Sequence, residues 1–278
     1  MVGWAIGIML VASFVVIGAE RTAFADYGIT QKKGFDACSA PTSSQMDTWW
    51  SSSPYWNVGI YFGGSTRSCS QPNLTSSWIS HQHNAGWDFL PLWAGPQLPY
   101  TSCATTGGPY SSNISLNTST AYNQGITEAQ KAIPAAANLG FSTSGMPIIY
   151  DLEAYNGASS CRAAAKAFIN GWDYWLKLSP AQKAGVYGST CASYLDDFSH
   201  IATVPDFIWF AWPNGNPSVK SITCISTSHW VSSQRHKQYT STHTETWPTS
   251  GVKLSIDNDC SNGPAYNWTY IDSYSPCL

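Results

Sequence analysis

Charge is what this chain has least of. Asp, Glu, Lys and Arg together make up 10% of its 278 residues, against about 25% in ordinary soluble domains. Net charge is −3 and no Lys/Arg cluster occurs. Nucleic-acid binding by phosphate neutralisation therefore has little to work with. None of the cysteines is arranged C-x-x-C, which disfavours zinc and dithiol redox sites. No G-x-G-x-x-G opens a helix, so a dinucleotide site has no support. The nucleophile elbow G-x-S-x-G is absent as well. No internal repeat or linker divides the chain, and only one long apolar run exists.

That run, Val2 to Gly18, is uncharged, and Ala23-Phe24-Ala25 after it has the A-x-A form of a cleavage site. Residues 1–25 read as a secretory signal peptide without the usual basic start, and the mature chain is expected to begin near Asp26. An uncleaved anchor is the alternative, because the run is close to spanning length. After cleavage no stable membrane insertion is expected. The protein is expected to be secreted or associated with a cell wall, and to act as a monomer.

Aromatic residues are plentiful at 14%, with 14 Trp and 15 Tyr. Aromatic faces stack on sugars, although for any single ring a place in the core is the better expectation. The eight cysteines, at 38, 69, 103, 161, 191, 224, 260 and 277, are even in number and suit an exported, disulfide-bonded chain. The sequence does not choose their pairing. Asn73, Asn113, Asn117 and Asn267 each open a glycosylation sequon.

Along residues 26–278, short apolar segments alternate with helix-like ones. Strands are expected at Gly34–Ala37, Asn57–Phe62, Trp87–Trp93, the run ending at Asp151, Lys183–Gly188, Phe207–Trp212, Arg235–Tyr239 and Val252–Asp257. Helices are expected at Ser43–Trp50, Thr75–Asn84, Ala121–Leu139 with a kink or break at Pro134, Ser160–Leu178, and briefly near Ala192–Phe198. Alternation of this kind implies right-handed βαβ units and a parallel sheet. About eight strands imply an α/β fold, a (β/α)8 TIM-type barrel in a single domain. An open doubly wound sheet is the alternative.

The chemistry concentrates in Met146-Pro-Ile-Ile-Tyr-Asp-Leu-Glu153. Strand side chains alternate, so Asp151 and Glu153 share a face about 7 Å apart along the backbone. Carboxylate pairs in unequal environments are the usual equipment for cleaving a glycosidic bond. Asp36 and Asp257 fall at the ends of the first and last strands, neighbours in a closed barrel, so four acids are expected at one mouth. Glu153, its pKa raised by its neighbour, suits the general acid, and Asp151 suits an ionised assistant. Tyr155, Tyr187, Trp212 and Gln238 are candidate cleft-lining residues. No cofactor or metal is expected. His81 and His83 are the only close His pair, and two positions apart on a helix they diverge, which disfavours a metal-dependent deacetylase.

Gly34-Phe-Asp-Ala-Cys-Ser39, Ile149-Tyr-Asp-Leu-Glu153, Gly185-Val-Tyr-Gly188, Trp209-Phe-Ala-Trp212, Lys237-Gln-Tyr-Thr240 and Ser255-Ile-Asp257 together resemble, in order, the motifs of family 25 glycoside hydrolases. Gly59-Ile-Tyr-Phe-Gly-Gly64 followed by Gln71-Pro-Asn-Leu-Thr75 is more similar to the glycoside-hydrolase-like barrel domain of exported proteins. The resemblance implies a (β/α)8 barrel and peptidoglycan or a related N-acetylated glycan as substrate. It places Glu153 as general acid, Asp151 as its assistant, and Asp36 and Asp257 as the remaining pocket carboxylates. A catalytically silent glycan-binding barrel is the alternative, because fold does not fix function.

Overall fold

The computed structural model describes residues 28–103, 108–141, 144–178, 181–266 and 277. The expected signal peptide and the Asn267 sequon lie outside them.

The chain opens with a short strand β1 (Gly28–Thr30), then β2 (Lys33–Asp36) and helix α1 (Ser43–Ser52). Next come β3 (Asn57–Gly63), α2 (Ser76–Ala85), β4 (Asp88–Trp93) and α3 (Thr118–Asn138). The D-x-E segment forms β5 (Pro147–Asp151), followed by α4 (Ser159–Leu176), β6 (Lys183–Ser189) and a 3-10 turn at Leu195–His200. Strands β7 (Phe207–Ala211), β8 (Arg235–Gln238), β9 (His243–Trp247) and β10 (Val252–Ala265) complete the chain.

Strands β2 to β8 pair in sequence order, each parallel to the next. Strand β10 closes the ring between β8 and β2, and it is antiparallel to both. The barrel therefore has the expected closure but not the expected uniform direction. The reason is β9, which pairs with the first part of β10 as an antiparallel hairpin and turns the chain back at the mouth of the barrel.

Local chemistry sets the helix starts. Thr42 and Gln45 form a reciprocal capping box on α1. Thr75 caps α2, its hydroxyl accepting from the Trp78 amide at 3.1 Å, and Gly86 ends that helix at φ 114°, where only glycine avoids a steric cost. Pro134 sits inside one continuous α3 rather than breaking it. Helices α3 and α4 approach through glycine: a Cβ on Gly171 would lie 2.0 Å from the Tyr122 carbonyl oxygen, and one on Gly125 2.0 Å from that of Phe168.

Most of the aromatic wealth is core. Phe35, on the outer face of β2, meets Trp49 edge-on at 5.1 Å and Trp87 at 5.8 Å. Inside the barrel, Leu90, Leu92, Ile149, Phe207, Trp209 and Ala265 pack together, each large side chain worth about 1.5–3 kcal/mol of burial. Trp209 needs the bare α-carbon of Gly59, where a Cβ would come within 2.6 Å of the indole.

All eight cysteines pair, as Cys38–Cys69, Cys103–Cys161, Cys191–Cys224 and Cys260–Cys277. Among the described residues no helix is long and apolar enough to cross a membrane.

Candidate functional site

Inward parity on β5 runs Pro147, Ile149, Asp151, with Ile149 packed in the barrel interior and Tyr150 turned out against Phe168 and Trp172 of α4. Asp151 thus points into the mouth, and Glu153, two residues on, follows it. Asp36 ends β2 and stands in direct register with Asp257 of β10. All four carboxylates line one cavity of about 560 Å³, a size that accommodates a small-molecule or sugar unit. The juxtaposition of Asp36 and Asp257 survives the reversed strand, because Asp257 lies where β10 enters the barrel rather than where it leaves.

Gln238 holds this pair from below. Its Nε2 donates to Asp36 Oδ2 at 2.8 Å and to Asp257 Oδ2 at 3.2 Å, while Tyr187 Oη donates to its Oε1 at 2.9 Å. Tyr187 and Gln238 therefore sit beneath the acids rather than on the cavity wall. The other two aromatic candidates are elsewhere. Trp212 follows the outward parity of Ile208 and Phe210, and Lys237 lies over its ring at 5.0 Å. Tyr155 is buried against Tyr194, ring centroids 5.4 Å apart. Neither lines the cavity.

Sequence reasoning missed Gln97, Tyr61, Tyr110, Arg67 and Asp259. Gln97 is a clamp on the D-x-E backbone: its Nε2 donates to the Asp151 carbonyl at 2.7 Å and its Oε1 accepts from the Glu153 amide at 2.9 Å. One side-chain amide thus fixes both ends of the turn that aims the two acids. Tyr61 donates to Asp36 Oδ1 at 3.4 Å. Strand alternation alone would have found Tyr61, two beyond Gly59, and Asp259, two beyond Asp257. Gln97, Arg67 and Tyr110 come from loops, where no periodicity points to them.

Electrostatics follow from the enclosure. Burial, with the Asp257 charge second, raises Asp36 to about 7, against hydrogen bonds from Gln238 and Tyr61 that pull it down. Burial raises Asp151 well above the carboxylate range, helped by Glu153 and Asp36. Burial also raises Glu153 and Asp257. The expected division differs in one respect: Asp151, the deeper of the pair, is the more strongly raised, and Glu153 owes its shift to burial rather than to its neighbour. Asp259, fully buried one inward position deeper, is held well above its usual value by burial and then by Asp36 and Asp257. Tyr110 is pushed up to about 12 by burial, Glu153 and Asp151, so its hydroxyl stays a donor. Displaced acids clustered in a cleft make this mouth the candidate site.

The two histidines do not converge. His81 bonds Asp47 at 2.9 Å on the surface, and His83 packs against the Tyr266 ring at 4.9 Å.

Among curated proteins none matches the chain. Among solved structures, Rv2525c, a Tat-secreted protein of Mycobacterium tuberculosis crystallised with L-tartrate, superposes with a TM-score of 0.53 at 13% identity, covering 85% of this chain and 100% of that one. A family 25 glycosyl hydrolase from Bacillus anthracis gives a TM-score of 0.48 at 12% identity over 84% of this chain and 89% of that one. The catalytic domain of endolysin ply40 from Listeria monocytogenes bacteriophage P40 gives 0.47 at 15% identity, over 84% and 93%. Identities this low speak to fold alone. The model of the Rv2525c-like, glycoside hydrolase-like domain matches residues 47–261, a span that holds Asp151, Glu153 and Asp257, and the chain belongs to that family.

Proposed function

We propose that this protein hydrolyses glycosidic bonds in peptidoglycan or a related N-acetylated polysaccharide outside the cell, with Glu153 as general acid assisted by Asp151. The observation that supports the reading is convergence: Asp36, Asp151, Glu153 and Asp257, distant in sequence, line one cavity at the mouth of a closed barrel. A general acid must hold its proton near neutral pH, and burial supplies that condition for both members of the D-x-E pair. Glu153 stands nearer the rim and meets the leaving-group oxygen. Asp151, more deeply enclosed and holding its proton, donates a hydrogen bond to a polar substituent such as an N-acetyl carbonyl. Asp36 and Asp257, joined through Gln238, hold hydroxyls or water, and Tyr187 orients Gln238. Four disulfides suit an oxidising, extracellular setting.

The test is digestion of peptidoglycan and of chitin-type oligomers by the purified mature chain, with mass analysis of the products. Release of new reducing ends is expected, and Glu153→Gln should lower it by at least about 100-fold. Equal turnover by the mutant removes Glu153 from its role. Tight glycan binding with no cleavage by either form establishes the silent glycan-binding barrel instead.

A further inference from the structure

We infer that Arg67 is the receptor for a carboxylate on the glycan, so that the preferred substrate is an acid-bearing sugar polymer rather than a neutral one. The inference rests on the glycan-cleaving reading above and names its substrate class.

Among the described residues lining the cavity, Arg67 is the only Lys or Arg, and the same lining carries the four carboxylates. Among the described residues it forms no ion pair with them. Its one hydrogen bond there is a long one, from Nη1 to the Tyr61 carbonyl at 3.5 Å. A guanidinium has five donors, and most of these are left for whatever fills the space.

The loop that carries the arginine is held in place. On one side, the Thr66 amide donates to the Ala94 carbonyl at 2.9 Å and its hydroxyl to the Gly95 carbonyl at 2.7 Å. On the other, Cys69 is bonded to Cys38, and Gln71 accepts from the Ala40 amide at 2.8 Å and donates to the Cys38 carbonyl at 2.7 Å. A loop fixed at both ends presents its side chain at a low entropic cost of binding.

Charge selects the ligand. A guanidinium fork matches a planar carboxylate in two parallel hydrogen bonds. A phosphate monoester would bring nearly two negative charges toward four acids, whereas a carboxylate brings one. Burial keeps Asp36 up at about 7 and holds Asp151 well above its usual range, so below neutral pH the pocket repels an anion less than its acid count implies. Two carboxylates meet this description: the free lactyl acid of a muramyl sugar that carries no stem peptide, and the ring acid of a uronic sugar.

The experiment measures binding by calorimetry in the Glu153→Gln background, which holds substrates intact. Oligomers of equal length are compared: neutral chitin-type, muramyl-containing and uronate-containing. The Arg67 form should bind at least one acid-bearing oligomer about tenfold tighter than the neutral one, and which oligomer wins identifies the carboxylate. Arg67→Gln should bring that ratio to parity, with Arg67→Lys between. Raising the pH through about 7 should lower the ratio as Asp36 ionises. Melting temperatures check that each variant is folded. A ratio near parity in the Arg67 form, or one unchanged by Arg67→Gln, overturns the inference while leaving hydrolysis of neutral glycan standing. Absence of binding to any of the three brings down the glycan reading itself.

Discussion

The two sides of this barrel are built differently. From β2 to β6 the outer face is covered by α1 to α4, and the contacts are apolar: Phe35 on Trp49, Tyr150 on Phe168 and Trp172. Between β7 and β8 the chain from 212 to 234 forms no α-helix. The outer face of β8 there presents Arg235 and Lys237, both buried. Backbone carbonyls of the covering loop receive them. Arg235 Nη2 donates to His229 O at 2.6 Å, and Lys237 Nζ donates to Ser221 O at 3.2 Å and Ser218 O at 3.4 Å. Cys191–Cys224 ties the same loop down. A helix satisfies its own carbonyls, whereas a loop leaves them to be satisfied. The two cations do for the loop what internal hydrogen bonding does for a helix.

The sharpest way to break the contrast is to crowd the helical side. Gly171→Ala places a methyl 2.0 Å from a backbone oxygen, and thermal unfolding should show a loss of about 3 kcal/mol or more. Gly215→Ala on the loop side meets nothing within 4 Å and suffers only from its φ of 73°; about 1 kcal/mol is expected. Equal losses at the two glycines would erase the distinction.

Arg235→Met strips the donor from the carbonyl of half-buried His229, and a loss of about 1–2 kcal/mol in denaturant melts is expected. A neutral result would mean that water replaces the guanidinium at no cost.

Asp36→Asn tests the mouth shared by both sides. Its folded pKa of about 7 exceeds the usual 3.8, so the native state binds more protons between those values and stability falls as pH rises from 3.8 to 7. Asp36→Asn should remove that slope and raise stability at pH 7, by at most about 4 kcal/mol, while lowering activity. Melts across this range that match the parent's would show Asp36 to be unperturbed.

Lys237 tests the loop side through pH. Burial lowers its pKa from 10.5 to about 8, so the unfolded chain binds more protons in that window and this residue makes stability rise with pH there. Lys237→Met should flatten the rise in pH-dependent melts, and it also takes the donors from Ser218 O and Ser221 O.

The helical side was the legible one. Apolar runs at β3, β5 and β6 and the amphipathic α4 all lie within a few residues of where the sequence puts them, because there burial decides and burial leaves a period. The loop side hides its logic. Strand β9 alternates His243, Glu245 and Trp247 toward a polar network in which Glu245 accepts from Tyr55 at 2.7 Å and Asn258 at 3.0 Å, so hydrophobic patterning is silent. Missing β9 hid the reversal of β10. The acids themselves were readable, since a carboxylate at a strand end is conspicuous in a chain so poor in charge. Trp212 was misplaced by parity: Phe207 and Trp209 already claim the inward positions of β7.

The β2–β10 seam has one further consequence. Its ladder sets Asp257 against Asp36 and Asp259 against Gly34. A one-residue slip would oppose Asp36 with Asn258 and turn the strand inside out. A slip of two, which preserves facing, would bring Asp259 alongside Asp36 instead. The opposite slip of two would set Ser255 there, so the repeat of acid on β10 preserves the acid pair in one direction of misalignment and loses it in the other.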